Sequence, residues 1–294
     1  MKGIEDKIHK QSPRKYLGVS QLGTKCDRWL WYDFRLATKL TPITQREYRL
    51  FNRGHWEELI VANELIKSGA KVSGLTIDQS IIDVFKTVFG IDLPEINQEK
   101  VTFCHDHGQG HCDGIVDGDT ALFVSKDELI FENKTSNNRG FSALKNSLDL
   151  QKSKYEHFCQ CQGYMHLFNK KRCLYVITRK ENDERVYLYI DYDKKFSERM
   201  FKRADKIILS PIAPDRIGDR NYYMCRQYTC KITGDLKYFC PHREVCHNDA
   251  RYQKTCRTCK NVEIHDKGRW HCKSKNKFLS FKKQLKACKK YKVL

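Results

Sequence analysis

The chain has 294 residues, 40% of them hydrophobic, and carries 55 Lys and Arg against 36 Asp and Glu, for a formal net charge of +19. This hydrophobic content excludes a globally disordered chain and suffices for one large or two modest domains. No apolar run is long enough to span a membrane, and residues 1–15 are too polar for a signal peptide, so we expect a soluble cytoplasmic protein. Fourteen cysteines in such a protein predict metal binding rather than a disulfide framework.

Two helices are predicted in the first quarter of the chain. In Ser20–Phe34, Ser20 is a candidate helix cap, and an apolar stripe follows at helical spacing. The stripe consists of Cys26, Trp29, Leu30 and Phe34. Glu47–Ser68 also has helical periodicity and stops before Gly69. Inside this second helix Gly54 costs about 1 kcal/mol relative to Ala, and close approach by another backbone is one reason to keep it; a solvated helix face is the alternative.

The segment His111–Lys134 contains the residues best suited to chemistry. Asp113 lies in a short apolar run, and a second apolar run ends in Glu132-Asn133-Lys134. Successive side chains of a strand alternate between faces, so Glu132 and Lys134 share one face. If the strand that carries Asp113 pairs beside them, two carboxylates can bind a divalent cation such as Mg²⁺ while the lysine orients an attacking water. A charged, solvated surface hairpin explains these two motifs alone equally well.

The predicted elements that follow are a helix (Lys154–Asn169), two strands (Arg172–Arg179 and Arg185–Asp191) and an amphipathic helix (Asp193–Leu209). The first helix places Gln160 and Tyr164 on one face, because they are four residues apart. The two strands are expected to extend the sheet. Ser210-Pro211 ends the last helix, and Pro211–Asn221 is the predicted boundary before the cysteine-rich end.

Eight of the fourteen cysteines follow Met224 and form two groups. The later group is Cys256, Cys259, Cys272 and Cys288. The two-residue gap in its first pair lets both sulfurs face one ion, and four thiolates predict a structural zinc site. His265 or His271 could replace one of these ligands.

The earlier group is Cys225, Cys230, Cys240 and Cys246, with His242 and His247 as further candidate ligands. Zinc bound by the four cysteines is one interpretation. The remaining cysteines after the first helix, Cys104, Cys112, Cys159, Cys161 and Cys173, have no ligand spacing and are predicted to be core thiols.

The last 44 residues, Arg251–Leu294, contain 15 basic and 2 acidic residues, a local charge of +13. Most of the net charge of the chain therefore lies here. Such a patch attracts a polyanion, and nucleic acid is the commonest one. A merely solvated surface is the alternative explanation.

Asp113 followed by Glu132-x-Lys134 resembles the PD-(D/E)XK nuclease superfamily. The early Ser20, Cys26 and Arg28 with Trp31-Tyr32, the Gly54–Glu58 segment and the Gln160/Tyr164 pair resemble the RecB/AddB-like and CRISPR-adaptation-nuclease-like branch. With its cysteine-rich end, the chain is similar to a bacteriophage-type exonuclease with a C-terminal zinc module. The resemblance implies an α/β fold with a central mixed β-sheet flanked by helices, a restriction-endonuclease-like core, and a small Cys-rich metal-binding C-terminal module.

The implied domains are residues 1–220 for the nuclease core, 221–250 for a cysteine cluster and 251–294 for a basic zinc-ribbon-like module. In the core, the resemblance implies that Asp113, Glu132 and a third residue bind Mg²⁺ or Mn²⁺. It also implies that Lys134 positions the attacking water. The third ligand is expected to be Glu58, with Glu57 and His55 as rivals. Gln160 is expected to position the substrate or Lys134, and Tyr164 to contact DNA.

For the cysteines, the resemblance nominates Cys26 together with Cys225, Cys240 and Cys246 as ligands of a [4Fe-4S] cluster. The chain departs from the family pattern here, because Lys237 stands where a cysteine is expected three residues before Cys240. Zinc on the earlier group, including Cys230, therefore stays an open alternative.

The predicted function is a metal-dependent deoxyribonuclease, most simply an exonuclease, acting in recombination, repair or phage DNA metabolism in a bacterial or phage-infected cell. Its expected partners are DNA ends and a recombinase or single-strand-annealing protein, and no membrane. The alternative is a non-catalytic, zinc-containing nucleic-acid-binding protein on a degenerate nuclease core.

Overall fold

The structure is a computed structural model that describes residues 8–74, 86–88, 100–117, 127–229 and 236–294. Its strands are β1 (Ile8–His9), β2 (Leu17–Gly18), β3 (Ile43–Thr44), β4 (Lys71–Ser73), β5 (Lys100–Phe103), β6 (Gly108–His111), β7 (Gly114–Asp117), β8 (Leu129–Ser136), β9 (Arg172–Arg179), β10 (Arg185–Asp191), β11 (Gln227–Thr229), β12 (Leu236–Tyr238), β13 (Val262–His265), β14 (Arg269–Cys272) and β15 (Lys277–Leu279). Its helices of four or more residues are α1 (Asp27–Arg35), α2 (Gln45–Lys67), α3 (Asn138–Ser147), α4 (Leu150–Ser153), α5 (Tyr155–Leu167), α6 (Lys194–Leu209), α7 (Arg243–His247) and α8 (Phe281–Gln284).

The described residues form two compact units. The first contains residues 8–9, 44–74, 86–88, 100–102, 109–117 and 127–201, and the second contains 10–43, 103–108, 202–229 and 236–294. Residues 10–43 and 202–220, which the sequence prediction assigns to one core with the rest of 1–220, thus belong to the second unit.

The first unit is built on a five-stranded sheet with the strand order β10-β9-β8-β7-β4. β8 and β9 are parallel, and the other neighbours are antiparallel, so the sheet is mixed. Parallel neighbours need a long crossover. Here the chain between β8 and β9 forms α3, α4 and α5. The predicted mixed α/β architecture is present.

Helices α2 and α5 lie against alternate side chains of the central strands. Leu174 and Val176 on β9 pack in one apolar cluster with Leu59 and Leu65 of α2. Tyr175, between them on the strand, is hydrogen-bonded through its hydroxyl to Nδ1 of His157 on α5, at 2.6 Å. This period of two buries both faces of β9, which explains its unbroken apolar sequence.

Helix α2 begins two residues earlier than its periodicity predicts, because Thr44 caps it. The Glu47 amide donates to Thr44 Oγ1 at 3.2 Å, and the Thr44 amide donates to Glu47 Oε2 at 2.7 Å. The explanation of Gly54 by a close backbone contact is wrong, since a Cβ placed there meets nothing within 4 Å. None of the described helices combines the length and the apolar composition that crossing a bilayer requires.

The cap predicted for the first helix is also wrong. Ser20 lies in a short 3-10 turn, Val19–Gln21, and α1 begins only at Asp27. Cys26 is the N-cap, and its sulfur accepts a hydrogen bond from the Trp29 amide at 3.4 Å. The Gln21 carbonyl accepts from the Thr24 amide, so the chain turns before the helix can start.

The C-terminal part of the second unit contains the three-stranded antiparallel sheet β13-β14-β15. Its centre is Trp270, which is fully buried against the guanidinium of Arg257, 4.8 Å from the ring centroid. Arg257 is itself 1% exposed and donates to the carbonyls of Phe34 (2.8 Å) and Lys15 (2.7 Å). A buried arginine with carbonyl acceptors therefore organises this small core.

Candidate active site and metal-binding clusters

Asp113 lies directly before β7, whose register with β8 pairs Gly114 with Phe131. This pairing places Asp113 next to the segment Glu132-Asn133-Lys134 of β8. The Asn133 amide donates to Asp113 Oδ2 at 2.8 Å, and Lys134 Nζ lies 3.5 Å from the same oxygen. The structure thus brings together the three residues that the sequence pattern selects.

Glu132 and Lys134 point to the same side of β8. Lys134 Nζ is hydrogen-bonded to Glu132 Oε1 and donates to the Asn133 carbonyl at 3.0 Å. Glu132 is fully buried, and its second oxygen, Oε2, has no hydrogen-bond partner among the described residues. A buried carboxylate oxygen without a partner is costly unless a cation or water completes it.

The negative charges of Asp113 and Glu132 are not balanced by the single positive charge of Lys134. Burial raises the pKa of Asp113 well above its usual range, and the Glu132 carboxylate raises it further. Burial also raises the pKa of Glu132, although Lys134 opposes this effect. Burial lowers the pKa of Lys134, but the two carboxylates outweigh it and raise that pKa well above its usual value. One ammonium group faces several carboxylates, and a divalent cation would compensate the remaining negative charge.

Glu58 and Glu57 of α2 lie in different environments. The Glu58 carboxylate raises the pKa values of Asp113 and Glu132, so it faces the same group. Neighbouring residues of a helix project about 100° apart. Accordingly, Glu57 Oε1 accepts from Thr178 Oγ1 at 2.8 Å and from Arg185 Nη2 at 2.8 Å. His55 is 62% exposed in its side chain, and its Nδ1 lies 3.8 Å from Glu58 Oε2.

Gln160 and Tyr164 of α5 border the carboxylates from the other side. The Gln160 side chain lies near the Glu132 carboxylate and lowers its pKa. Burial raises the pKa of Tyr164 well above its usual value, with Glu132 and Asp113 acting in the same direction. Tyr164 is only 3% exposed, so its burial argues against the predicted direct contact with DNA.

In the second unit, the four cysteines nominated as cluster ligands lie close enough to raise one another's pKa values. Cys26, Cys225, Cys240 and Cys246 are all buried. Burial is the main cause that raises the pKa of Cys240 to about 12, and the other three thiols act in the same direction. His242 Nε2 and His247 Nε2 have no hydrogen-bond partner, and Cys230 lies outside the described residues. The thiol set fits a soft metal or cluster, and the choice between zinc and [4Fe-4S] stays a prediction.

The later cysteines also influence one another. Burial is the main cause that raises the pKa of Cys256 to about 11, and the thiols of Cys288, Cys259 and Cys272 add to it. A structural zinc site on these four cysteines stays a prediction. The predicted core thiols Cys112, Cys159, Cys161 and Cys173 are buried, whereas Cys104 is half-buried beside Asp205.

Sequence reasoning missed one group of possible metal ligands. Glu263, His265 and His271 each offer one ligand atom, and these atoms lie within 4.8 Å of one another. From spacing alone, the two histidines are candidates only as substitutes for a cysteine ligand. The signal in the sequence is a strand with Glu and His two residues apart, followed by the turn at Gly268 and a second His.

No protein-family model matches this sequence, and no curated protein matches it. Among solved structures, an alkaline exonuclease from Laribacter hongkongensis is similar at 14% identity and a TM-score of 0.39, over 67% of this chain and 87% of that one. The same exonuclease in complex with dAMP is similar at 15% identity and a TM-score of 0.39, over 66% and 86%. A phage related exonuclease from Haemophilus somnus 129PT has 17% identity and a TM-score of 0.28, over 44% and 66%.

Proposed function

We propose that this protein is a metal-dependent nuclease of the PD-(D/E)XK type that hydrolyses DNA phosphodiester bonds. The observation that carries the proposal is the contact of Lys134 Nζ with both Asp113 and Glu132, beside a buried Glu132 oxygen that has no hydrogen-bond partner. A solvated surface hairpin would expose these groups, whereas Glu132 is fully buried.

Asp113, Glu132 and Glu58 would hold Mg²⁺ or Mn²⁺, because carboxylate oxygens are the ligands these ions prefer. The unpartnered Glu132 Oε2 and the excess of carboxylates over ammonium groups fit such an ion. When bound, the ion would neutralise charge at the scissile phosphate and lower the pKa of a water.

The protein's own residues orient the reactants. The Asn133 amide fixes Asp113 Oδ2, and the Gln160 side chain lies near the carboxylate of Glu132. Lys134 is protonated between two carboxylates and therefore acts as a hydrogen-bond donor to the attacking water or to a phosphate oxygen.

The basic segment Arg251–Leu294, with a charge of +13, would bind the DNA backbone. Binding to phosphates releases counterions, so the logarithm of affinity should fall linearly with the logarithm of salt concentration. Binding that is insensitive to salt would contradict this role.

The test is digestion of end-labelled linear DNA with Mg²⁺, Mn²⁺ or EDTA. Wild type should cleave only with metal, and Glu132→Gln and Asp113→Asn should lose at least about 100-fold in rate, since even an outer partner of a metal ligand is worth about 10- to 100-fold. Asp191→Asn is the matched control, because Asp191 is an exposed carboxylate on β10 of the same sheet.

Covalently closed circular DNA, which has no ends, distinguishes an exonuclease from an endonuclease. An exonuclease, which we propose, leaves the circle intact and degrades it only after linearisation. DNA binding without cleavage under any metal would instead favour the non-catalytic binding protein. A visible absorption band and bound iron that disappear in Cys240→Ser would identify the earlier thiols as cluster ligands, whereas zinc alone would identify the alternative.

A further inference from the structure

One face of the C-terminal three-stranded sheet carries a compact group of nitrogen and oxygen donors. Glu263 and His265 are two residues apart on β13 and therefore project from the same face. The register pairs Glu263 with His271 on β14, which places the His271 ring beside them. Strand pairing thus fixes all three side chains on rigid backbone rather than on a loop.

The distances match a tetrahedral ion. His265 Nε2 lies 3.2 Å from Glu263 Oε1, and His271 Nδ1 lies 3.4 Å from the same oxygen. Ligand atoms about 2.0–2.1 Å from zinc at tetrahedral angles are about 3.3–3.4 Å apart. Two of the three ligand-to-ligand distances therefore match the edges of a zinc coordination sphere, and all three atoms lie within 4.8 Å of one another.

Two features distinguish this group from an ordinary surface hydrogen-bond network. His271 Nδ1 is buried and has no hydrogen-bond partner within the described part of the chain, although it lies 3.4 Å from the Glu263 carboxylate. Lys273 Nζ binds the other carboxylate oxygen, Glu263 Oε2, at 2.7 Å, so that Oε1 alone is directed at the two rings. A partner that fixes the outer oxygen is typical of the surroundings of a metal ligand.

The group is separate from the four cysteines, although it shares a strand with one of them. His271 and Cys272 are neighbours on β14 and project from opposite faces of the sheet. On the histidine face, Phe278 of β15 pairs with His271 and lies 5.2 Å from its ring centroid, shielding that side. A metal bound here would have its fourth position open.

We propose that Glu263, His265 and His271 form a second divalent-metal site in the C-terminal module, with zinc as the best-fitting ion. Two imidazole nitrogens and one carboxylate oxygen are ligands that zinc accepts, and three protein ligands leave one position for water or another ligand. The site would be chemically distinct from the thiolate site, because no sulfur takes part.

The test uses the full-length protein, stripped of metal by a chelator and titrated with Zn²⁺ and, as a spectroscopic probe, Co²⁺. Wild type should bind one Zn²⁺ more per chain than Glu263→Gln or His265→Gln. Co²⁺ at this site should lack the thiolate-to-cobalt charge-transfer band that the cysteine sites give. Affinity at this site should fall at least about 10- to 100-fold in either variant.

The control is His105→Gln, which changes another histidine of the same unit that pairs with Asp266 outside the group. It should retain the wild-type metal count. An unchanged thiolate-to-cobalt band in the variants shows that the module is folded. Should Glu263→Gln lose that band, His265→Gln decides, because it leaves the ion pair between Glu263 and Lys273 intact. An equal Zn²⁺ count in wild type and a folded variant would overturn the proposal.

Discussion

Exchange of the adjacent residues Glu57 and Glu58 for glutamine should separate stability from activity. Glu57 Oε1 receives hydrogen bonds from Thr178 and Arg185, and the Arg185 side chain is only 16% exposed. Glu57→Gln leaves this guanidinium with Glu64 as its remaining carboxylate. Removal of one member of a buried ion pair costs about 3–5 kcal/mol, and charged hydrogen bonds contribute about 1.5–3 kcal/mol each.

Because Glu64 stays and glutamine keeps an oxygen acceptor, we expect Glu57→Gln to lower the free energy of unfolding by about 2 kcal/mol. At an m-value of about 2 kcal/mol per molar urea, the midpoint would fall by about 1 M. Glu58→Gln removes only a weak ion pair with the exposed His55, which is worth less than about 1 kcal/mol. It also relieves repulsion by Asp113 and Glu132, so its midpoint should be unchanged or slightly higher.

The activities should show the opposite order. Glu58→Gln should lose at least about 10-fold in metal-dependent cleavage, because it removes a proposed metal ligand. Glu57→Gln should retain cleavage at a temperature where it is folded. Urea unfolding followed by circular dichroism, together with the end-labelled DNA assay, measures both properties. A Glu57 variant that is stable but inactive, beside an active Glu58 variant, would refute the assignment.

Three further predictions follow from packing and burial. Gly54→Ala should raise the free energy of unfolding by about 0.5–1 kcal/mol, since the Cβ meets nothing within 4 Å in a helix interior; a lower urea midpoint would contradict this. Arg257→Lys should cost about 2–4 kcal/mol, because lysine cannot reproduce the hydrogen bonds to the Phe34 and Lys15 carbonyls or the stacking on Trp270, and the melting temperature measures the loss. Burial lowers the pKa of His157 to about 3, below the value of about 6.5 in the unfolded chain. The neutral, buried His157 therefore contributes fully to the stability of the fold above about pH 6.5, and this contribution is lost as the pH falls toward 3. His157→Asn should therefore flatten the pH dependence of the urea midpoint in that range, and an unchanged profile would show that other groups dominate it.

Much of the first unit follows from local patterns. The short apolar runs of β8 and β9, and the period of 3.6 in α2, are properties of residues a few positions apart. They therefore predict these elements nearly to their ends. The alternation of side chains along a strand likewise places Glu132 and Lys134 on one side of β8. Caps were less predictable: Ser20 and Cys26 can both accept a hydrogen bond from a helix amide, and the turn between them decides which one does.

Other features depend on contacts between distant parts of the chain. Glu57 and Glu58 are equivalent in sequence, but Arg185, 128 positions after Glu57, binds one and leaves the other to face Asp113 and Glu132. The register of β13 with β14 likewise sets His271 opposite Glu263. The sequence alone therefore determined the elements and the candidate chemistry, because both depend on near neighbours. Only the tertiary structure decided which carboxylates and imidazoles meet, because strand register and helix packing set those distances.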